Sequence, residues 1–281
     1  MAIVFALGAA AFYGSADFMG ALASRRNAAL AVALGAQVAG LAILVAAMPF
    51  LGAATVTTHD LLFGAAAGVF GGLGVVVVYR SLAKGPMSVV APTTALSASA
   101  VPVLAGLALG DRPGFSALAG ILVAFGAVAL ITREKAEPGV AAARGAAAKA
   151  LLPALGGGAI FGLFFVFLHQ TGDGAGLWPL LAARLTSVPI LAALVLAKRI
   201  PMGGSPRLIG AVLVSGVLDM VANILYLLAV RHGMLAVVAA LTGLYPASTV
   251  LLAQTRLDER LQPVQFVGLG VAVLAAVMVA G

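Results

Sequence analysis

The sequence has no cysteine, only three histidines and very little charge: 9% of its 281 residues are Asp, Glu, Lys or Arg, where a soluble domain carries about 25%. Without cysteine there is no disulfide framework and no thiolate metal site. The histidines, His59, His169 and His232, belong to no HExxH motif. No GxSxG nucleophile turn and no paired metal-ligand cluster is present either, so the sequence offers no catalytic residues and no metal site. No Gly-rich loop ends in Lys and Ser/Thr, which excludes ATP hydrolysis by the chain itself, and no cofactor is called for. Aromatic residues are also sparse, at 6%. The net charge of +7 is spread over short loops and forms no patch or arm, which argues against a nucleic-acid partner and for membrane topology.

What the sequence has in abundance is apolar length. It is 63% hydrophobic, with a mean hydropathy of +1.16. Apolar runs long enough to cross a hydrocarbon core about 30 Å thick fall at Ala2–Ala23, Ala28–Leu51, Leu61–Leu82, Ser88–Leu109 and Phe115–Thr132. A second set falls at Leu151–His169, Leu177–Ala197, Leu208–Val230, Met234–Thr255 and Pro263–Ala280. The first run lacks a small-residue cleavage site and reads as a retained span. The lipid bilayer is thus the chain's first partner.

The two sets are copies. Gly85–Arg112 is repeated as Gly233–Arg260 without a gap, 148 residues later, and 10 of the 28 paired positions are identical. Both copies close on an acid-Arg pair, Asp111-Arg112 and Glu259-Arg260. The same register aligns Gly14 with Gly162 and Gly120 with Gly268. The expected organisation is a five-helix repeat over 1–132, a polar linker over 133–150 and a second repeat over 151–281. An odd number of crossings per copy sends the second copy into the membrane from the opposite face. The expected fold is therefore all-α and integral to the membrane, with ten transmembrane helices in two inverted five-helix repeats.

Charge sets the expected sidedness. Loops one, three, five, seven and nine hold Arg25, Arg26, Arg80, Lys84, Arg133, Lys135, Arg144, Lys149, Lys198, Arg199, Arg207, Arg256 and Arg260, and the alternate loops only Arg112 and Arg231. The positive-inside rule makes the first group cytoplasmic, with both termini outside. Gly64, Gly68, Gly71, Gly72 and Gly74 form small-residue ridges on helix three that predict close helix packing. Pro92, Pro102 and Pro246 remove backbone hydrogen bonds within spans, and the freed carbonyls need partners.

The five-plus-five plan, the Phe12-Tyr13-Gly14-Ser15 opening of helix one and the duplicated acid-Arg pair together resemble the EamA family of the drug/metabolite transporter superfamily. The resemblance covers nearly the whole chain. It implies a multi-pass protein of the plasma (inner) membrane, a secondary transporter and commonly an exporter of amino acids or other small metabolites, with a central cavity between its halves. Members of that family keep both termini in the cytoplasm, the reverse of what the charge bias argues here.

Ionisable groups at a helix centre cost roughly 2.5 to 3.5 kcal/mol on insertion scales, so each needs a reason to be there. Asp17 lies in helix one, Arg184 in helix seven and Asp219 in helix eight, with His169 at the edge of helix six. In helix eight, Ser215, Asp219, Asn223 and Tyr226 share one face, and Tyr13, Asp17 and Ser24 repeat the pattern in helix one. Counting about 1.5 Å per residue, Asp219 is the acid at a depth that Arg184 could reach; snorkelling to the interface near Trp178 is the alternative. Helices four and nine add Thr93, Thr94, Ser97 and Ser99, and Thr242, Tyr245, Ser248 and Thr249. Tyr245 stands opposite Ser97 in the repeat register. The binding or coupling candidates are Tyr13, Asp17, Ser97, Arg184, Ser215, Asp219, Asn223, Tyr226, Thr242 and Tyr245. The expected activity is secondary transport of a small molecule by alternating access, driven by protons or by exchange. A non-transporting membrane scaffold remains the alternative if the polar faces pack dry, and an intramembrane enzyme has no motif to support it.

Overall fold

A computed structural model describes residues 1–50, 52–84, 87–132, 140–257 and 262–280, and for 79–84, 87–92, 140–150 and 257 it describes the backbone alone. All the regular structure among the described residues is helical. The first half comprises α1 (Ala2–Ser24), α2 (Ala29–Ala47), α3 (Thr58–Lys84), α4 (Met87–Leu109) and α5 (Phe115–Ile131). The second comprises α6 (Val140–His169), α7 (Trp178–Ala197), α8 (Pro206–His232), α9 (Leu235–Thr242), α10 (Pro246–Leu257) and α11 (Pro263–Ala280). Eight helical segments, with α9 and α10 counted as one, are long and apolar enough to cross a membrane, and Thr93–Leu109 and Phe115–Ile131 are shorter apolar helices.

One expectation changes. The span expected over Met234–Thr255 is broken between Thr242 and Pro246. Pro246 has no N–H to give and disfavours helical geometry in the residue before it. The amides of Leu244 and Tyr245 turn back to the carbonyls of Leu241 and Thr242, three residues earlier. α6 begins at Val140, inside the stretch expected as a polar linker, because the Ala-rich run after Val140 has a high intrinsic helix propensity. Residues 133–139 lie outside the described residues, as do the side chains of Arg80, Lys84, Pro92, Arg144, Lys149, Glu259 and Arg260.

Most helix pairing runs between the halves. α1 packs on α8 as α6 packs on α3; α2 packs on α8 as α7 packs on α3; α4 packs on α6 as α9 and α10 pack on α1; and α5 packs on α11. Exchanging the halves returns the same set of pairs. In lipid no hydrophobic force draws helices together, so small residues set these approaches. Gly120 lies against Val279 and Gly268 against Ile131, two contacts related by the 148-residue register. A Cβ on Gly14 would overlap the Tyr245 carbonyl and the Ser248 hydroxyl of α10, and one on its mate Gly162 would press on Ala98 and Val101 of α4. The glycines of α3 divide their work: Gly64, Gly68 and Gly72 face α7, while Gly71 and Gly74 face Phe164 and Phe161 of α6.

The two ends of the bundle differ. At one, Asn27 Nδ2 donates to the Gly203 carbonyl at 2.8 Å, joining the α1–α2 loop to the α7–α8 loop. At the other, the polar contacts between halves are denser. The Gly172 amide donates to Asp60 Oδ1 at 2.7 Å, the Ala236 amide at the start of α9 donates to Asp111 Oδ2 at 2.8 Å, and the Ala54 amide donates to the Gly174 carbonyl at 2.9 Å; within the second half, Arg231 donates to the Gly176 carbonyl at 2.8 Å. An acid at a helix N-terminus is favoured by the exposed N–H groups and the helix dipole, so Asp111 holds α9 across the boundary between the halves.

Candidate functional site

A chamber lies between the halves. Its inner part, about 200 Å³, is walled by α1, α3, α4, α6, α8 and the α9–α10 break. It shares Tyr13, Asp17, Val75, Val78, Phe161, Asp219 and Tyr245 with a wider vestibule of about 890 Å³. The vestibule reaches Ser24 and Arg25 at the end of α1, Ala29 at the start of α2, Thr132 after α5 and Gln265 in α11. It therefore opens at the end of the bundle that carries Arg25, Arg26, Lys198, Arg199 and Arg207, and is shut at the end held by Asp60, Asp111 and Arg231.

Close helix packing sets the polar groups in place. Gly68 leaves room for the α7 backbone at Ala183, and the next residue, Arg184, sends its guanidinium into the vestibule, where Nη2 pairs with Asp219 Oδ2 of α8. Arg184 is buried; Asp219 keeps a face open to the cavity. Asn223, one turn along α8, donates from Nδ2 to the Asp219 carbonyl at 2.7 Å and to Asp219 Oδ2 at 3.1 Å. Charge-assisted bonds of this kind are stronger than neutral ones and hold both partners in one geometry. Ser215, a turn in the other direction, ties α8 to α1 by donating to the Ala16 carbonyl at 2.9 Å.

On α1, Gly14 lets the start of α10 lie against the helix. Ser248 Oγ donates to the Ala10 carbonyl and Thr249 Oγ1 to the Gly14 carbonyl, each at 3.0 Å. That docking brings Tyr245 beside Tyr13 and Asp17 in the chamber wall. Asp17 is exposed to the cavity, and its carboxylate makes no hydrogen bond or ion pair among the described residues. The hydroxyls of Tyr13, Tyr226 and Thr242 are buried without a partner among the described residues, and all three residues line the inner chamber. A buried hydroxyl left unpaired costs about 1 to 3 kcal/mol, and these three stand in one small cavity.

Nine of the ten sequence candidates line the chamber or its vestibule: Tyr13, Asp17, Arg184, Ser215, Asp219, Asn223, Tyr226, Thr242 and Tyr245. Ser97 lines neither part. Its hydroxyl donates to the Thr94 carbonyl on its own helix at 3.1 Å and sits against Gly158 of α6. Arg184 takes Asp219 as its partner and does not snorkel. Sequence reasoning missed Phe161 and Phe165 on α6, which stand 148 residues after Tyr13 and Asp17; the repeat register would have found them. It also missed Gln37 of α2, whose Oε1 accepts from the buried Ser187 hydroxyl of α7 at 2.5 Å in the vestibule wall. A lone Gln in an apolar run was the available signal. The described residues contain no group of His, Cys, Asp or Glu fit to hold a metal ion.

A comparison with curated proteins finds no match. Among solved structures, one described only as the crystal structure of a protein superposes with a TM-score of 0.80 at 14% identity, covering 99% of this chain and 95% of that one. At that identity the likeness concerns the fold alone. The model of the EamA-like transporter family matches twice, over residues 1–133 and 148–281. Together with the membrane-length helices, the double match identifies the chain as an integral, multi-pass membrane protein that belongs to the EamA-like transporter family.

Proposed function

We propose that this chain is a secondary active transporter of a small metabolite, amino acid or drug-like compound, working by alternating access and in the direction of export across the plasma (inner) membrane. The observation that carries the reading is the chamber. It lies between two halves whose helix pairings exchange symmetrically, its vestibule reaches the end of the bundle that carries Arg25, and it holds an ion pair and hydroxyls without partners among the described residues. A scaffold would pack those faces dry. In this reading the chain crosses the membrane ten times as two inverted five-helix repeats. Loop contacts support it: the α1–α2 loop bonds to the α7–α8 loop, whereas its counterpart in register, the α6–α7 loop, meets the segment between α2 and α3 through the Ala54 amide and the Gly174 carbonyl. Transport against a gradient draws on protons or on exchange.

Asp219 is the coupling or substrate-contact acid of this mechanism. It lies in the part of the cavity shared by inner chamber and vestibule, and Arg184 and Asn223 hold it there. Asp219→Asn keeps size and most hydrogen bonding but removes the charge and the titratable proton. The variant should insert and stay monodisperse in detergent, while transport in liposomes, screened against a metabolite panel with and without a proton gradient, fails or loses its pH dependence. Normal transport by the variant across pH 6 to 8 would transfer the role to Asp17.

The positive-inside rule turns the chamber mouth, which is lined by Arg25 and lies at the end of the bundle that carries Arg26, Lys198, Arg199 and Arg207, toward the cytoplasm. A reporter active only in the cytoplasm should then be silent when fused after Gly281. A bright fusion would reverse the orientation and make the chamber outward-open.

A further inference from the structure

Among the described residues the chamber and its vestibule are lined by two acids, Asp17 and Asp219, and by two bases, Arg184 and, at the mouth, Arg25. Arg184 and Asp219 satisfy each other, with Asn223 bracing the pair. The remaining acid, Asp17, is exposed to the cavity with no cation of its own among the described residues. Arg25 at the mouth is eight residues further along α1, about 12 Å away along the helix axis. Around Asp17 the wall is aromatic: Tyr13, Phe161, Phe165, Tyr226 and Tyr245 all line the inner chamber. Three of these are among the chain's four tyrosines. Phe165 joins the rings into one surface, with its centroid 4.5 Å from that of Tyr226 and 6.0 Å from that of Tyr13.

We propose that this chamber takes a ligand with a single protonated amine on a compact apolar body, and that Asp17 is the counter-ion of that amine. This rests on the transport reading of the same cavity and adds the substrate class to it. The chemistry matches group by group. An ammonium has three donors and no acceptor. The free acceptors here are the Asp17 carboxylate and the oxygens of Tyr13, Tyr226 and Thr242, three hydroxyls more than nine-tenths buried and unpartnered among the described residues. Ring faces attract cations, and an aromatic cage around an ammonium uses that attraction. An anion entering the inner chamber would meet Asp17 as a like charge. A zwitterion would have to open the Arg184–Asp219 pair to seat its carboxylate. Phe161, Phe165, Pro102 and Val78 leave the rest of the cavity apolar, and about 200 Å³ limits that body to one ring or a short branched chain.

The test compares four probes that share one ring: benzylammonium, benzyl alcohol, benzoate and zwitterionic phenylglycine. Each is titrated against the purified full-length protein in detergent, with affinity read from the ligand dependence of the thermal unfolding midpoint. Benzylammonium should bind roughly 30-fold or more tightly than benzyl alcohol, the penalty for leaving a buried charge unpaired. Asp17→Asn should erase that preference and Asp17→Glu should retain most of it. Equal binding of the amine and the alcohol by the native chain would overturn the proposal, and that comparison needs no variant to fold. Tighter binding of phenylglycine or benzoate than of the amine, with the preference surviving Asp17→Asn, would overturn it in favour of anchoring by Arg184. Because no gradient or vesicle is involved, amine-selective binding stands even if transport assays fail, and transport of a neutral or anionic compound without amine preference refutes this inference alone.

Discussion

The wall formed by α1 and α8 and the wall formed by α6 and α3 are the same wall twice, related by the 148-residue register, yet only the first is polar. Tyr13 and Asp17 of α1 correspond to Phe161 and Phe165 of α6, and Tyr226 of α8 corresponds to Val78 of α3; all six line the inner chamber. Asp219 corresponds to Gly71. Positions that set the approach of helices kept their character in both halves, as Gly14 with Gly162 and Gly120 with Gly268 show. Positions that face the cavity diverged. Duplication thus built a symmetric frame in which two helices took over the polar work, while their counterparts supply the apolar surface opposite.

The comparison is broken most severely by removing one member of its ion pair. Arg184→Ala leaves Asp219 without its cation and should lower stability by about 3 kcal/mol, at the low end of the range for buried pairs because Asp219 retains contact with the cavity. Arg184→Ala combined with Asp219→Ala should recover part of that loss in thermal unfolding and in folded yield. Strictly additive losses would show that the pair is not coupled.

Smaller and sharper is an exchange between corresponding positions. Tyr226→Phe removes a buried hydroxyl that has no partner among the described residues, so it should leave stability unchanged or raise it by about 1 kcal/mol, while transport falls. Phe161→Tyr places a hydroxyl on the apolar wall, where its counterpart Tyr13 already carries one, and should cost less than about 1.5 kcal/mol. A Tyr226→Phe variant that lost stability without losing transport would assign that hydroxyl to the fold.

The repeat, the scarcity of charge and the shared face of Ser215, Asp219, Asn223 and Tyr226 were legible because helix periodicity and a constant register survive in sequence. Depth singled out Asp219 as the acid that Arg184 could reach, but it did not decide between that pairing and snorkelling to the interface near Trp178. Depth does not give rotation about the helix axis, which is why Ser97 was included although it faces Gly158. The apolar half of the site was hidden for another reason: Phe161 and Phe165 look like any membrane-facing residues until a partner wall is set opposite them. The break at Thr242–Pro246 was signalled by Pro246, but proline also bends helices that stay continuous. α7 runs unbroken past Pro189, so the residue alone does not decide.

The central claim, that the two halves alternate around this chamber, can be tested at Thr94, which lines the inner chamber on α4. The native chain has no cysteine, so Thr94→Cys is the single thiol available to a membrane-impermeant reagent in oriented proteoliposomes. Alternating access predicts that this thiol is modified from either side of the membrane, each route blocked by a bound ligand. Modification from the vestibule side alone, under every ligand and gradient that supports turnover in other assays, would contradict it.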